Sequence, residues 1–551
     1  MNKHVKSLVI INALVSALLV TACDSGGGSE DSPQNFPRFA YAVNYSDSTI
    51  SMYTVNAETG QLRHNGYVLM DTGACAVALH PSGRFLYTAN YGADNTNPDT
   101  VSMYMIDRSS GALAPGTPVS VESGINTRSI AVDPSGRFAY AADRGVDADS
   151  GPDTISMYTI DLDTGALTPC ATPTIAAGNQ PVSVAVHPSG KFAYAANYGS
   201  GSDSGNDTVS IYRIDRETGA LSPAATASAT AGDKPHCIAF HPSGEFAYVA
   251  NAGSGSVSVF TVNRNTGALT PASPASVDAG TFTIYVTVDP SGKFVYAANR
   301  DSSSISAYAI DPDSGSLTPA GADAATGSLP LSATVDPSGK FVYAPCQGSN
   351  TVSAYEIDRD SGALAPAGTC SARNIPFMLA VSSGTSPIKH VPKFAYVANE
   401  TTDTVSMYSI NPNNGALSLA SSVSIPDTTG FPCAVAADTR GRFAYVPSDG
   451  LTSVDPVYIY RIDQSSGELI SGTQVSADAE DGAVSSVVEP SGRFAYVANF
   501  HSSSIGVYSI NQSTGALSPG GAAATGSTPW TITIDPSGRF VYVASWGADY
   551  I

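Results

Sequence analysis

Hydrophobic and polar residues alternate along most of the chain, in short segments that turn residues separate. In one unit, PVSVAVH (181–187) places valine at alternate positions, and KFAYAAN (191–197) alternates aromatic with small residues. The next two segments are TVSIYRI (208–214), which is β-branched and aromatic, and ALSPAAT (220–226), which is built mainly of small residues. A period of two over short segments predicts β-strands. The small residues of the fourth segment suit a strand at the outer edge of a sheet.

Turn residues join these segments into antiparallel pairs. Pro188 and Gly190 lie between the first two segments, where proline fixes φ and glycine closes a tight turn. Asp215–Gly219 lies between the third and fourth segments, and its glycine supplies the positive φ of a hairpin. The unit therefore predicts four antiparallel strands, and the chain has no convincing helical pattern after residue 22.

This four-strand unit recurs along the chain. The first aromatic residue of its second strand returns at intervals of 46 to 54 residues, at Phe39, Phe85, Phe138, Phe192, Phe246, Phe294, Phe341, Phe394, Phe443, Phe494 and Phe540. A repeat of about 50 residues made of four short strands predicts the radially arranged blades of a β-propeller. We therefore expect an all-β protein.

The order of the strands divides the chain into two regions. The repeats begin at a second strand (Arg38), and a lone first strand, NIPFMLAVSSG (374–384), follows the seventh unit. That strand can complete the first sheet, so residues 36–384 predict a seven-bladed propeller of four-stranded antiparallel blades. The unit then restarts, and residues 386–551 predict a partial second propeller. One ring of about ten blades is the alternative, and it leaves residues 538–545 as a surplus strand.

The N-terminal segment differs from the repeats. Residues 1–22 carry Lys3 and Lys6 and then an apolar run that is short for a membrane span, as in a signal peptide. The run ends in LVTAC, which resembles the lipobox of bacterial lipoproteins, and the resemblance implies lipidation of Cys23. Residues 23–35 are rich in glycine, serine and acidic residues and predict a flexible tether. We expect a lipid-anchored protein of the cell envelope, on the periplasmic side of the inner membrane or at the outer membrane.

Charge and cysteine content narrow the function classes. Lysine plus arginine total 26 and aspartate plus glutamate total 47, so the net charge is −21. A nucleic-acid-binding protein needs a basic surface, so nucleic acid is not an expected partner. Apart from Cys23, six cysteines are scattered over different repeats without a C-x-x-C pair or a zinc-site spacing. We expect buried free thiols and no metal held by them.

The repeated phrase also carries a family signal. The pattern P-S-G-[KR]-F-x-Y-x-x-N, followed by S-x-[ST]-[IV]-S-x-Y-x-[IV], resembles the lactonase-type seven-bladed propellers, which include bacterial 6-phosphogluconolactonase and fungal carboxymuconate cyclase. The stretch YAANRDSSSI resembles the family's Y-x-x-N-R-x-x-x-S-I motif, whose arginine is thought to face the substrate cleft. The resemblance implies that Arg300 is a catalytic candidate, with Asn299 and Asp301 as substrate-binding candidates. Arg144 holds the place of Arg300 in an earlier blade and is the second catalytic candidate.

The sequence departs from the family pattern at two places. The family has a histidine four residues before the H-P or D-P turn, and an acidic residue just after the second strand. In one blade of the first ring, Cys237 and Ala252 stand there instead, and the acidic residue occurs only at Glu400. His236 precedes the expected position by one residue, and such a slip points a side chain to the other face of a strand. It is the third catalytic candidate.

These departures from the family pattern determine which function we expect. They favour a non-catalytic propeller that binds a protein or a glycan through its loops or its central channel. The alternative is a lactonase-like hydrolase or cycloisomerase acting on a lactone or a sugar acid, with the arginines binding a carboxylate or an oxyanion. A base that could activate water is not evident in the first ring.

Three neighbouring repeats carry acidic insertions between the second and third strands, at residues 92–100, 145–154 and 199–208. Carboxylate and carbonyl oxygens are ligands that Ca²⁺ accepts. None of the insertions has the spaced glutamate of a calcium loop, so solvated loops are the preferred interpretation, and we expect no cofactor.

Overall fold

A computed structural model describes residues 36–70, 73–92, 98–145, 153–199, 207–384, 394–410, 416–426, 430–438, 441–450, 454–490, 492–534, 538 and 540–545. The predicted signal peptide (1–22), Cys23 and the tether (23–35) lie outside these residues, as do the central parts of the three acidic insertions. The described residues form strands and turns, with one 3₁₀ turn at Glu400–Thr402. No helix in this part of the chain is long and apolar enough to cross a membrane.

The strands of the first seven repeats follow one another with short connections. They are β1 (Phe36–Asn44), β2 (Thr49–Val55), β3 (Leu62–Leu69), β4 (Ala74–Leu79), β5 (Phe85–Asn90), β6 (Thr100–Ile106), β7 (Leu113–Glu122), β8 (Thr127–Val132), β9 (Phe138–Asp143), β10 (Thr154–Ile160), β11 (Leu167–Ala176), β12 (Pro181–Val186), β13 (Phe192–Asn197), β14 (Thr208–Ile214), β15 (Leu221–Thr230), β16 (Pro235–Phe240), β17 (Phe246–Asn251), β18 (Ser256–Val262), β19 (Leu269–Asp278), β20 (Thr283–Val288), β21 (Phe294–Asn299), β22 (Ser304–Ile310), β23 (Leu317–Pro319), β24 (Ala324–Ala325), β25 (Thr334–Val335), β26 (Phe341–Cys346), β27 (Thr351–Ile357), β28 (Leu364–Ser371) and β29 (Pro376–Gly384).

The remaining strands belong to the later repeats. They are β30 (Phe394–Asn399), β31 (Thr404–Ile410), β32 (Leu417–Ser424), β33 (Phe431–Pro432), β34 (Ala436–Ala437), β35 (Phe443–Asp449), β36 (Val454–Ile462), β37 (Leu469–Glu480), β38 (Ala483–Val488), β39 (Phe494–Asn499), β40 (Ser504–Ile510), β41 (Leu517–Ala524), β42 (Pro529–Ile534) and β43 (Val541–Ser545).

Seven antiparallel sheets form a closed ring, and each is one blade. Blade one has the order β29-β1-β2-β3, so the strand after the seventh repeat completes the first sheet. Its register places Ala380 opposite Tyr41 and Leu379 opposite Ala42. Blades two to seven are β4–β7, β8–β11, β12–β15, β16–β19, β20–β24 and β25–β28, each in contact with the next, and blade seven with blade one. The expected all-β propeller fold is confirmed, and the β29–β1 pairing excludes a single ring of about ten blades.

The later repeats form four further sheets of the same kind. Their orders are β30-β31-β32, β33-β35-β36-β37 with β34 on β35, β38-β39-β40-β41, and β42-β43. Successive sheets of this group are in contact, as β35 with β38 and β38 with β42. The described part of this region therefore matches the expected partial second propeller in its blade pattern.

The recurring sequence phrase holds neighbouring blades together. In the seven blades of the ring the tyrosine of the second strand is buried, and its hydroxyl donates to the carbonyl of the glycine that ends the Asp-x-x-x-Gly or Asn-x-x-x-Gly turn of the next blade. In blade three, Tyr140 Oη lies 2.9 Å from the Gly219 oxygen. Gly219 has a φ of 77°, and a Cβ there would collide with the ring of Phe138. Glycine is therefore required at this turn for both its conformation and the close approach of the ring.

The histidines of the H-P-S-G turns are also structural. Nδ1 of His80 accepts the backbone N–H of Ser82 at 3.0 Å, so Nε2 carries the hydrogen and donates to the Gly136 carbonyl of the next blade at 2.9 Å. His187 and His241 make the same pair of contacts with their own neighbours. These three residues therefore cap the turns and lie on the face of the ring where the inner strands end.

The six cysteines of the repeats are free thiols. Cys75, Cys170, Cys237 and Cys346 are buried, Cys370 is half-buried and Cys433 is exposed. Burial was therefore the right expectation for most of them but not for Cys433.

Candidate functional site at the mouth of the ring

The same backbone conformation recurs in successive blades on the face of the ring where the inner strands begin. Each inner strand of blades three to seven and blade one follows a residue in the left-handed conformation, with φ of 54–58° at Asn126, Gln180, Lys234, Phe282, Leu329 and Ile375. None of these is glycine, so the conformation costs of order 1–3 kcal/mol per residue. Their carbonyls accept the backbone N–H of the residue that follows a second strand, as Gln180 does from Tyr198 at 2.9 Å. The arrangement fixes those residues around the opening of the channel, which we term the mouth.

A β-bulge adds a second set of side chains to the mouth. In blades one to six the pairing of inner and second strand skips one residue near the start of the inner strand. The skipped residues are Phe377, Cys75, Arg128, Val182, His236 and Ile284 in blade order. A bulged residue is released from the alternation of the strand and can be aimed at the rim of a sheet.

His236 is one of these bulged residues, which corrects its predicted orientation. The one-residue slip was expected to turn the imidazole away, but the bulge absorbs the slip and places the ring edge-on to Tyr198, with centroids 6.1 Å apart. The pKa of His236 is lowered to about 4, mainly by burial and in smaller part by the positive charges of Arg128 and Arg144. The imidazole is therefore neutral at pH 7 and carries a free lone pair when it acts as a base.

Arg144 lies beside His236 and is held by its neighbours in blade four. Its Nε and Nη2 both donate to Oε1 of Gln180, at 3.1 and 2.7 Å. Its guanidinium lies 5.7 Å from the centre of the Tyr198 ring. Burial lowers the pKa of Arg144, and the nearby Arg128 lowers it too. The carboxylate of Asp153 does not bond to the guanidinium, since the bond described for it is to the backbone N–H of Gln180 at 3.0 Å.

Arg128 completes the cluster, although it is not among the residues predicted from the sequence. Its guanidinium stacks on Tyr91 at 4.2 Å, and its buried Nε has no hydrogen-bond partner. Among the described residues it makes no ion pair. Asp99 lies behind it, but its two oxygens accept the backbone N–H groups of Gly92 and Thr127, each at 2.7 Å.

A sequence signal for Arg128 exists. In TRSIAVDP (127–134) it stands five residues before the D-P turn, and in PHCIAFHP (235–242) His236 stands five residues before the H-P turn. Both are therefore the bulged residue of their inner strand.

Lys234 adds a third cation to this side of the mouth. Its Nζ lies 5.8 Å from the Tyr198 ring, whose other cationic neighbour is Arg144. Blades three to five thus place three positive side chains around one neutral imidazole in a protein of net charge −21. We refer to Arg128, Arg144, Lys234 and His236 as the cationic half of the mouth.

The motif around Arg300 lies in blade six, apart from that half. Nη1 of Arg300 pairs with Oδ1 of Asp301 at 2.7 Å, and the guanidinium lies 5.4 Å from the Phe282 ring. The structure describes no contact of Arg300 with Arg144 or His236. Of the predicted catalytic candidates, it therefore brings Arg144 and His236 together and leaves Arg300 with Asp301.

Asn299 is buried inside blade six. Its Nδ2 donates to the hydroxyls of Ser304 and Ser306 at 3.2 and 2.8 Å, and its Oδ1 accepts from Thr283 at 2.8 Å. These bonds hold the second and third strands together and favour a structural role. Its predicted contact with a substrate, like that of Asp301, stays a prediction.

Metal ligands were sought in the part of the chain that the structure describes. It contains no group of three or more histidine, cysteine, aspartate or glutamate side chains that could hold an ion. Residues 93–97, 146–152 and 200–206 of the acidic insertions lie outside that part, so the expectation of solvated loops without a calcium ion stays untested there.

Comparison with known proteins decides the family. The sequence model of the family described as lactonase, seven-bladed β-propeller, matches residues 33–174, 202–381, 388–482 and 474–551. The chain belongs to the lactonase family. Both the seven-bladed ring and the later repeats are therefore lactonase-type sequence.

Curated relatives carry names within this family. A 6-phosphogluconolactonase of Formosa agariphila is 25% identical over 228 residues, which cover 39% of this chain and 61% of the relative. A 6-phosphogluconolactonase of Pectobacterium carotovorum is 29% identical over 197 residues, which cover 34% of this chain and 53% of the relative. The chain thus spans about three fifths and about half the length of these two lactonase relatives. Their names overturn the expectation of a non-catalytic binding propeller. That expectation was wrong because it was based on the absence of a base from the two motif positions where the family has a histidine and an acidic residue.

Solved structures agree in fold. The periplasmic gluconolactonase of Pseudomonas aeruginosa superposes with a TM-score of 0.53 at 20% identity, covering 63% of this lactonase-family chain and 99% of that chain. A protein from Lactobacillus plantarum gives a TM-score of 0.52 at 20% identity, with 63% and 99% covered. At this identity the likeness shows the propeller fold alone.

Proposed function

We propose that this protein hydrolyses a lactone at the mouth of the seven-bladed ring, with Arg128, Arg144 and His236 as its catalytic residues. The observation that carries the proposal is a neutral imidazole beside two guanidinium groups that are not hydrogen-bonded to any carboxylate among the described residues. The relatives named as 6-phosphogluconolactonases support the same reaction class.

His236 supplies the base that the family motif seemed to lack. Hydrolysis begins when water adds to the lactone carbonyl carbon, and His236 accepts the proton that the water loses. The carbonyl oxygen becomes an oxyanion, the ring C–O bond then breaks, and the leaving ring oxygen takes the proton from the imidazolium. The product is a hydroxy acid, which releases one proton at neutral pH.

Arg128 and Arg144 supply the stabilisation of the oxyanion. Fixed donors aimed at developing negative charge are often the largest single contribution to such a reaction. The two guanidinium groups are also the cause of part of the low pKa of His236. As the oxyanion forms it offsets their charge, so the imidazole becomes a stronger base at the moment when it receives the proton.

The proposal is tested by proton release from a panel of sugar and alkyl lactones, measured against the spontaneous rate. We expect catalysis by the purified protein and its loss in His236→Asn and in Arg128→Met. His241→Asp is the matched control, because aspartate is the natural residue of that turn in other blades, as at Asp133 and Asp289. The proposal is contradicted if His236→Asn still catalyses hydrolysis, or if the wild-type protein hydrolyses no lactone of the panel.

We also propose that the protein is anchored to the cell envelope through a lipid on Cys23, as the LVTAC sequence implies. Detergent phase partition of the expressed protein tests this point. Wild type is expected in the detergent phase and Cys23→Ser in the aqueous phase, and equal partition of the two would contradict the anchor.

A further inference from the structure

Phe377 lies in the middle of the mouth and reaches across the central channel. It is the bulged residue of the inner strand of blade one. Its side chain packs against the apolar core that joins blades one and two and against the core that joins blades two and three. It also packs against the small apolar cluster of Ala252, Ile284 and Leu331, which come from blades five, six and seven. A side chain that contacts blades on both sides of the ring forms a floor at the mouth.

Apolar side chains continue from Phe377 over one half of the mouth. Ile284 lies in the inner strand of blade six and Leu331 lies just before that of blade seven, and they are 3% and 8% exposed. Phe282 and Tyr285 pack on the same group and remain half-buried. We refer to Phe377, Ile284, Leu331, Phe282 and Tyr285 as the apolar half of the mouth.

The two halves meet at Tyr198. Its ring packs against the apolar cluster and also touches the edge of His236. A ligand with its reacting carbonyl against the cationic half would therefore place the rest of its ring over the half-buried face of Phe377. Tyr45 stands beside Phe377, with ring centroids 6.5 Å apart, and extends this apolar surface.

We infer that the substrate is a lactone carrying an apolar substituent, an alkyl chain or an aromatic ring, which packs on Phe377 while its carbonyl lies against Arg128 and His236. The inference rests on the proposed function. A polyhydroxylated ring would set hydroxyl groups against Phe377, Ile284 and Leu331, whose side chains cannot accept or donate hydrogen bonds. An apolar group is instead favoured by burial, and a single methylene in such a pocket is worth roughly tenfold or more in specificity.

The test compares two six-membered lactones that differ in substituent. The purified protein is assayed with D-glucono-1,5-lactone and with a δ-lactone that bears a five-carbon alkyl chain. We expect kcat/KM for the alkyl lactone to be at least about tenfold higher. Because both rates are measured on one sample, their ratio does not depend on the fraction of folded protein.

Substitutions of Phe377 test whether this side chain is responsible for the ratio of the two kcat/KM values. Phe377→Ala is expected to lower the ratio by about tenfold. Phe377→Leu, which keeps an apolar side chain and is the safer variant for folding, should retain most of it. Trp530→Ala serves as the control, because this aromatic side chain is 51% exposed and lies in the later repeats.

The outcomes separate this inference from the proposed function. Better hydrolysis of gluconolactone, or an unchanged ratio in Phe377→Ala, overturns the inference while the proposed function stands. No hydrolysis of either lactone, or hydrolysis unaffected by His236→Asn, overturns the proposed function and the inference with it.

Discussion

The hydroxyl of Tyr343 donates a hydrogen bond to the carbonyl oxygen of Gly60 at 2.9 Å, and this bond joins blade seven to blade one. The same link recurs between earlier blades, as from Tyr296 to Gly362 at 3.1 Å. Among the tyrosine–glycine links of the described blades, the Tyr343 bond is the one that connects the two ends of the ring in sequence. It therefore acts together with the β29–β1 pairing in closing the ring.

Tyr343→Phe should destabilise the protein, because it leaves a buried carbonyl without its donor. We expect a loss of about 1–3 kcal/mol in the free energy of unfolding. Thermal and urea unfolding followed by circular dichroism measure it. Tyr542→Phe is the control at a tyrosine that is 47% exposed, and a change within about 0.5 kcal/mol is expected there. Equal midpoints for wild type and Tyr343→Phe would show that the bond has no role in closure.

The blades could be predicted from the sequence because each is specified by local signals. The second strand Phe192–Asn197 alternates large and small residues, and the turn before it carries Pro188 and Gly190. The lone strand at 374–384 could be matched to the first blade because every other blade supplies its own inner strand. Its pairing as β29 with β1 confirms that step.

The candidate site could be predicted only in part, because it depends on bulges and on contacts between blades. A regular period of two gave the wrong orientation for His236, since a bulge is a property of two paired strands and not of one segment. Arg128 was missed because its five-residue spacing to the D-P turn marks it as a bulged residue of its own strand but does not place it near His236. The two side chains meet only after blades three, four and five are arranged around the channel.

Activity should persist in acid to an unusual degree. His236 must be neutral to accept a proton, and burial lowers its pKa to about 4. As pH falls, kcat/KM is therefore expected to hold to about pH 5 and to reach half its value near pH 4. A pH profile of lactone hydrolysis measures this loss of activity in acid. The Asp143→Asn variant removes another group that titrates near pH 6, and it should lose activity over the same pH range as the wild type. Half-activity near pH 6.5 would mean an ordinary imidazole and would contradict the low pKa.

Arg128 should contribute to catalysis more than to stability. Arg128→Met keeps an apolar side chain on Tyr91 but removes the charge, and we expect kcat to fall about 10²–10³-fold, as for loss of an oxyanion donor. Arg137→Met is the matched control. That arginine donates to the backbone oxygens of Arg216 and Glu217, at 3.1 and 3.4 Å, on the opposite face of the ring. If both variants retain full kcat, Arg128 does not stabilise the oxyanion.

Asp143 differs from its equivalents in other blades, and its replacement should stabilise the protein above pH 6. It is fully buried and accepts hydrogen bonds from Thr127 at 2.7 Å, Ser156 at 2.6 Å and Thr154 at 3.2 Å. In blade six, Asn299 makes the same three contacts. Burial raises the pKa of Asp143 to about 6 from its ordinary value of 3.8.

The sign of the pH dependence follows from that shift. Between pH 3.8 and about 6 the folded state holds a proton that the unfolded state has lost, so stability falls as pH rises through this window. Asp143→Asn removes the buried charge and fits the same hydroxyl partners. We expect a gain of about 3 kcal/mol at pH 7.5 and no gain at pH 3.5, measured by urea unfolding at both values. Asn299→Asp is the reciprocal variant and should lose stability at pH 7.5. If Asp143→Asn loses stability at that pH instead, the fold needs the carboxylate in its charged form.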